Sequence, residues 1–286
     1  MYSLVKTTAR ELAPNLYTLL RIMWSYKKIL GVFPNIIRPK TFNEKIQYRK
    51  LRDRRPLLTL LVDKYGAREY VAEKIGKQAL PKLLFVTENP SDIPFSALPD
   101  KFVVKPTHGA GWVCVVTDKQ SADTAEIVRK CQFWMTQNYY NWTREWAYRN
   151  VKPRIIVEEF IGDDASAVPI DYKLFVFAGK VAFIQVDIGR FKELRRNIYD
   201  TSWNRMNVAL DYPNAPDEIP RPPHLDRMIE YAQVLGDGID FVSVDLYDTN
   251  EKVYFGEFTL APGHGFVHFR PENFDDYLGG LWRIAS

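Results

Sequence analysis

The sequence predicts an α+β protein with largely antiparallel sheets, and three observations carry that reading. Helical periodicity fills the first 75 residues, strand-like apolar runs dominate after Pro81, and several strands follow one another across tight turns such as Ala178-Gly179. A parallel sheet would need a helix-length crossover between most strands, and none fits in such turns. A length of 286 residues is enough for a sizeable core in one large or two smaller domains. At 46% hydrophobic and 26% charged residues, the composition excludes collagen-like, disordered and disulfide-framed classes. Cys114 and Cys131 match no metal-ligand spacing and staple no secreted fold, so a reducing compartment is expected.

The elements follow in order. Leu12, Leu16, Leu19, Leu20, Met23 and Trp24 recur at helical spacing, interrupted by cations. This apolar stripe is expected to pack on the body of the protein, the alternative being a helix resting on an anionic membrane face. No run approaches the ~18–20 apolar residues needed to span a bilayer. Pro34 and Pro39 break the pattern, and Thr41 or Asn43 caps a second helix that buries Phe42, Ile46 and Leu51. A further helical pattern runs from Leu57 to about Ile75. Strands are predicted over 101–105, 112–117, 154–160, 172–177, 180–188, 240–247 and 252–260, with helices near 122–134 and 225–235. The Pro-rich stretch 212–223 reads as an extended surface loop, and the aromatic segment 134–146 as core or interlobe packing.

Charge is distributed unevenly. Residues 1–60 hold 13 Lys and Arg against three acids, a surplus of +10. The whole chain carries +4, so residues 61–286 carry −6. The excess is confined to one region and accompanies no nucleic-acid motif, which argues against a nucleic-acid partner. It reads instead as an accessory surface for a polyanionic or lipid-linked acceptor, or for the inner membrane face.

Familiar catalytic signatures are absent: no P-loop, no Gly-x-Gly-x-x-Gly, no His-Glu-x-x-His and no Gly-x-Ser-x-Gly. Three other constellations stand out. Lys105 ends an apolar run and leads into Thr107-His108-Gly109-Ala110-Gly111, a turn whose backbone N–H groups can approach phosphate while the lysine adds a point charge. The plain alternative is an ordinary hairpin turn. Asp245 and Glu257 interrupt two strand patterns joined by a polar turn. An odd loop would put them on one face with Thr259, a set suited to a hard cation, and an even loop would separate them. Solvated carboxylates on an open sheet face are the alternative. Third, Glu158-Glu159-Phe160-Ile161 ends a buried-looking strand and offers backbone groups and an apolar floor to a purine, or is simply a strand entering an acidic turn.

In order along the chain, Asp63-Lys64-Tyr65, Lys105 with its glycine turn, Glu158 to Ile161, Asp171-Tyr172-Lys173, Asp245, and Glu257-Phe258-Thr259 through Pro262-Gly263 resemble the ATP-grasp superfamily. The stretches starting at Thr41, Asp63, Pro99, Asp171 and Val244 resemble, more closely, its TupA-like family of bacterial polysaccharide and teichuronopeptide loci, over roughly residues 34–280. The resemblance implies a basic helical region (1–60), a first lobe with the glycine-rich loop (61–160) and a second lobe with the metal site (161–286). It implies that Lys64 and Lys105 contact ATP phosphates, with Thr107, His108, Gly109 and Gly111 covering them. Glu158, Glu159, Phe160 and Ile161 would hold adenine, Asp171 ribose, and Asp245, Glu257 and Thr259 the metal, Mg²⁺ or Mn²⁺. Two departures matter: Thr259 stands where relatives often have Asn, and Ser243 where many have an arginine. Arg190, Arg195 and Arg196 are the reserve cations, so Lys105, Arg190 and Arg196 are expected to be catalytic. The implied activity is a cytoplasmic ligase, peripheral at the inner membrane face, joining an anionic saccharide or lipid-linked carboxylate to an amine donor in cell-envelope polysaccharide biosynthesis. A kinase of a sugar or alcohol and a non-catalytic binding subunit are the alternatives. His264, after the metal strand, either touches substrate or is an idle loop histidine.

Overall fold

The computed structural model describes residues 14–162, 169–189, 193–249 and 251–284. The first helix, α1 (Pro14–Leu30), is followed by α2 (Phe42–Arg52). Thr41 and Glu44 form a reciprocal capping box at the start of α2, which satisfies two orphan backbone donors there. The single helical pattern expected up to Ile75 is two helices, α3 (Pro56–Val62) and α4 (Ala67–Ile75), separated at Asp63–Gly66. That break turns Lys64 out of both.

A four-stranded antiparallel sheet forms the first lobe. Its strands are β1 (Leu83–Thr87), β2 (Phe102–Pro106), β3 (Cys114–Val116) and β4 (Ile155–Glu159), in the order β1-β4-β2-β3. Helix α5 (Thr124–Met135) covers one face, burying Ile127, Cys131 and Trp134 against Phe102, Val104, Ile155 and Val157. Short helix α6 (Tyr139–Thr143) follows it.

The second sheet has five antiparallel strands: β5 (Asp171–Phe177), β6 (Lys180–Ile188), β7 (Arg195–Tyr199), then β9 (Phe241–Asp248) and β10 (Val253–Thr259), in the order β10-β9-β5-β6-β7. Helix α7 (Leu225–Leu235) precedes β9, and α8 (Asn273–Leu281) is the last described helix. β8 (Ala209–Leu210) and β11 (Phe269–Arg270) form a two-stranded ribbon.

Strand alternation gives this sheet two unlike faces. Leu174, Val176, Ile184, Val186, Val242, Val244 and Leu246 form one core with Leu58, Leu61, Val71, Met228 and Leu235 of α3, α4 and α7. On the other face, Phe175, Phe177, Phe183 and Phe241 surround Phe42 of α2 with Leu278 and Trp282. The odd-numbered positions further along that face are polar or charged, among them Asp171, Lys173, Gln185, Asp187, Ser243, Asp245, Glu257 and Thr259. They are the floor of the site.

Phe42 and Ile46 of α2 pack on the second sheet, and so do Leu58, Leu61 and Val62 of α3 and Ala67 and Val71 of α4. Arg195–Tyr199, where no strand is predicted, is an edge strand. The stripe on α1 is also reversed: Thr18, Ile22 and Tyr26 are buried, whereas Leu16, Leu20 and Trp24 are exposed. The buried side is set by polar anchors, Arg144 donating to the Thr18 hydroxyl (2.6 Å) and Arg21 to the Asn141 and Trp142 carbonyls (2.7 Å each). Apolar periodicity locates the helix but does not say which side meets the protein.

Candidate active site

The two sheets meet at a cavity of about 250 Å³, and Lys64, Lys105, Trp112, Glu158, Tyr247 and Glu257 are among its walls. Lys105 projects from β2, and its ammonium lies 2.6 Å from Glu158 Oε2 on the neighbouring strand β4. Arg68 of α4 grips the other Glu158 oxygen. Lys64, freed by the break between α3 and α4, donates to the Gly109 carbonyl and pairs with Glu257 Oε2, each at 2.8 Å. A lysine from a helix break, one from a strand and two carboxylates from two sheets thus share one opening.

Asp245 and Glu257 stand directly opposite each other on β9 and β10. Asp248 pairs with Val253, so the connecting loop has the even count that should have separated them. The register shifts between Phe255 and Glu257, and this bulge at Gly256 returns Glu257 to the face of Asp245. Gly256 is close-packed: a Cβ there would sit 2.9 Å from the Tyr247 ring and 3.0 Å from the Asp245 carbonyl.

Lys173 is the site residue that the sequence reading left without a role. It pairs in register with Asp245, and its ammonium bridges Asp171 Oδ2 (2.8 Å) and Asp245 Oδ2. Alternation with Asp171 on one strand was the available signal. Burial opposes its charge, but Asp171 and Asp245 hold its pKa well above the usual lysine value. Burial also raises Asp245, to about 7, against the pull of Lys173 and with Asp171 and Glu257 adding to the rise. At Glu257 burial is overcome by Lys64 and Lys173, which hold the carboxyl down to about 2. The cluster is therefore a crowded row of negative charge balanced by ammonium groups.

The other expected residues divide. Gly111, Glu159, Phe160 and Ile161 line the cavity. Gly109 offers its carbonyl to Lys64, and Trp112 packs over its α-carbon, where a Cβ would meet the ring at 2.6 Å. Thr107 and His108 are turned into the fold instead. The Thr107 hydroxyl donates to the Lys152 carbonyl, and buried His108 reaches the Trp134 carbonyl at 2.9 Å, its pKa lowered by burial. Asp171 faces Lys173 rather than the cavity. Arg196 is held by Asp187 at 2.6 Å and lines a second cavity of about 260 Å³ with Lys173, Gln185, Ser243 and Thr259. Arg195 pairs with Glu193, and Arg190 lies outside the described residues. Ser243 donates to Asp245 Oδ1 (3.0 Å), so the place of the missing arginine is taken by a hydroxyl, with Lys173 the nearby cation.

Among the described residues no group of three or more His, Cys, Asp or Glu side chains is placed to hold a metal. The donors that do converge are Asp245, Glu257 and the Thr259 hydroxyl, 3.5 Å from Asp245 Oδ2. Two carboxylates with further oxygens from phosphate and water are a fitting set for Mg²⁺, which keeps several non-protein ligands. The raised Asp245 carboxyl, crowded by two others, is where a divalent cation would relieve charge.

Beyond this floor, the turn Pro262–Gly265 places Gly263, His264 and Gly265 in the left-handed region. For His264, at φ 56°, that conformation is costly. Helix α2 holds the turn: Gln47 donates to the His264 and Gly265 carbonyls (3.0 and 2.7 Å), Lys50 to the His264 carbonyl (2.7 Å), and Asn43 to the Val267 carbonyl (2.9 Å). Outside, His264 Nδ1 meets Glu145 at 2.7 Å. Tyr139 lies near both His264 and Trp112, so the aromatic segment ties the glycine turn of one lobe to this turn of the other.

Two sheets that clasp a lysine-lined cleft above paired carboxylates define an ATP-grasp type of fold. The family model described as TupA-like ATPgrasp matches residues 44–283, and the chain belongs to that family. Among solved structures it is similar to a D-alanine–D-alanine ligase from Bacillus anthracis complexed with ATP (16% identity, TM-score 0.42, 71% of this chain and 55% of that one). It is also similar to the ATP-grasp ligase PsnB with a phosphomimetic precursor variant, Mg and ADP (12%, 0.41, 77% and 55%). A third is a RimK domain ATP-grasp protein from Sphaerobacter thermophilus (14%, 0.45, 78% and 68%). The chain thus spans little more than half the length of the first two. A comparison with curated proteins finds no match.

Proposed function

We propose that this protein is an ATP- and Mg²⁺-dependent carboxylate–amine ligase. The observation that carries the reading is the convergence of Lys64, Lys105 and Glu257 at one interlobe cavity, with buried Asp245 paired opposite Glu257. A carboxylate oxygen of the acceptor attacks the γ-phosphorus of ATP and ADP leaves. The amine then attacks the acyl carbon, losing a proton as phosphate departs. No serine, cysteine or histidine nucleophile is needed, because a carboxylate is already nucleophilic.

Each part of the cavity has a task in this scheme. Lys64 and Lys105 exchange Glu257 and Glu158 for phosphate oxygens and neutralise charge that builds on the transferred group. The adenine sits at the end of β4, against Val103, Val115, Phe160 and Ile161, and reads backbone groups rather than the Glu158 side chain, which Lys105 and Arg68 occupy. Asp245 and Glu257 would hold Mg²⁺, with Thr259 beside them; when bound, the ion supplies charge neutralisation at the polyphosphate. The acceptor carboxylate enters from the cavity of Lys173, Gln185, Arg196 and Thr259. The acceptor class that fits the family is a uronic-acid or amino-acid unit of a bacterial cell-surface polysaccharide.

Purified protein with ATP, Mg²⁺ and a panel of uronic acids and amino acids tests this, read as ADP release, product mass and hydroxamate formed with hydroxylamine. The expected result is acceptor-dependent ADP and a hydroxamate. ADP with a phosphorylated alcohol and no hydroxamate replaces the ligase with a kinase, and no ATP binding at saturating Mg²⁺ leaves a non-catalytic subunit.

A further inference from the structure

Helix α1 is fixed on the body by one side, and its other side is apolar and uncovered among the described residues. Leu16, Leu20 and Trp24, spaced by four, are exposed, and the run continues through exposed Ile29, Val32, Phe33 and Ile37. Trp24 is 67% exposed and Ile37 84%, values far from those of side chains that pack on a core. The Trp24 and Phe33 rings meet edge to face at 6.2 Å, so the helix and the segment after it form one continuous surface. Contiguous exposure of this kind marks an interaction surface, whereas single exposed apolar residues do not.

Charge decides what the surface meets. Between Glu11 and Glu44 the sequence has no acidic residue, yet it has Arg21, Lys27, Lys28, Arg38 and Lys40. Of these, Lys27, Lys28, Arg38 and Lys40 are exposed around the apolar run. Acids stand on one flank only: Glu44, which accepts from the backbone N–H of Asn35 and Lys40, and Asp211, which accepts from that of His268, line a cavity with Leu30 and Val32. An aromatic and aliphatic face that carries four exposed cations and no acid of its own matches the boundary between acyl chains and anionic headgroups. A protein partner's apolar patch would call for no such excess of cations within the segment. Among the described residues no helix is long and apolar enough to cross a membrane, so the arrangement suits a helix lying on one.

We infer that α1 and residues 31–40 dock the protein on the surface of an anionic lipid bilayer. The same helix lines a cavity with Arg21, Lys50, Arg144 and His264, so docking presents the His264 turn to what the bilayer carries.

Co-sedimentation of the full chain with vesicles of neutral phosphatidylcholine, or with a third phosphatidylglycerol, tests this at 50 and 500 mM salt. The expected result is binding to the anionic vesicles only, weakened at high salt. K27Q/K28Q is expected to weaken it about fivefold per charge removed. L20S/W24S, both exposed, is expected to abolish it with an unchanged melting temperature. Absence of binding to anionic vesicles overturns the proposal, as does binding that neither variant alters. A solution dimer that L20S/W24S converts to monomer, without vesicle binding, replaces it with an interface between two copies of this chain.

Discussion

Asp245 and Glu257 face each other across β9 and β10 only because the register slips at Gly256. Without the slip the four-residue loop would aim Glu257 into the apolar core shared with α4 and α7. The bulge therefore assembles the carboxylate pair. Gly256→Val is expected to push on the Tyr247 ring and the Asp245 carbonyl, costing about 1–3 kcal/mol. It should also reduce ATP consumption more than tenfold. Unfolding in urea and ADP release check the two effects, and retention of full activity would sink the bulge as an assembling device.

Lys105 and Lys64 each hold a carboxylate at the cavity. Lys105→Ala and Lys64→Ala are expected to weaken ATP binding, measured by calorimetry, and to lower hydroxamate yield about 10²-fold or more, the scale of removing one preorganised charge. Glu158→Gln should affect binding far less, since it removes only the resting partner.

Lys173 balances two buried carboxylates, so Lys173→Met should cost about 3–5 kcal/mol by leaving uncompensated negative charge. Adding Asp245→Asn to it should restore part of that loss. The double-mutant cycle in urea checks the coupling, and additive effects would show that the pair does not interact.

Lys50, buried under the His264 turn, has its pKa pushed down to about 8 by burial. In the unfolded chain a lysine titrates near 10.4, so between these values the unfolded state binds more protons. Stability then rises with pH across that window and falls as pH drops through 8. Relative to Lys50→Met, the wild-type protein is expected to gain on the order of 2 kcal/mol between pH 8 and 9.5. Chemical denaturation at the two pH values measures it.

Much of the architecture was legible because apolar runs report burial directly: β2, β5, β6, β9 and β10 fall where alternation and hydrophobicity put them. The family-like order of Lys64, Lys105, Asp245 and Glu257 likewise located the cleft. What stayed hidden depends on partners distant in sequence. The outward side of α1 is decided by Arg144 and Arg21, Thr107 and His108 by carbonyls at Lys152 and Trp134, and β7 by the edge of β6 it pairs with. Lys173 had no role until register placed it beside Asp245. The basic front proved partly internal: Arg49 and Arg55 pair with Asp240 (2.8 and 2.6 Å), and Lys45 caps the Gly279 and Trp282 carbonyls.

The grip of Asn43, Gln47 and Lys50 on the 264–267 backbone joins residues more than 200 positions apart in sequence. Exchange of segments between relatives is constrained by that grip. A chimera that takes its C-terminal third from another member, while keeping its own residues 41–55, mates a turn with a helix that did not evolve beside it. Functional hybrids should therefore come from transplanting both ends together and leaving the middle of the chain in place.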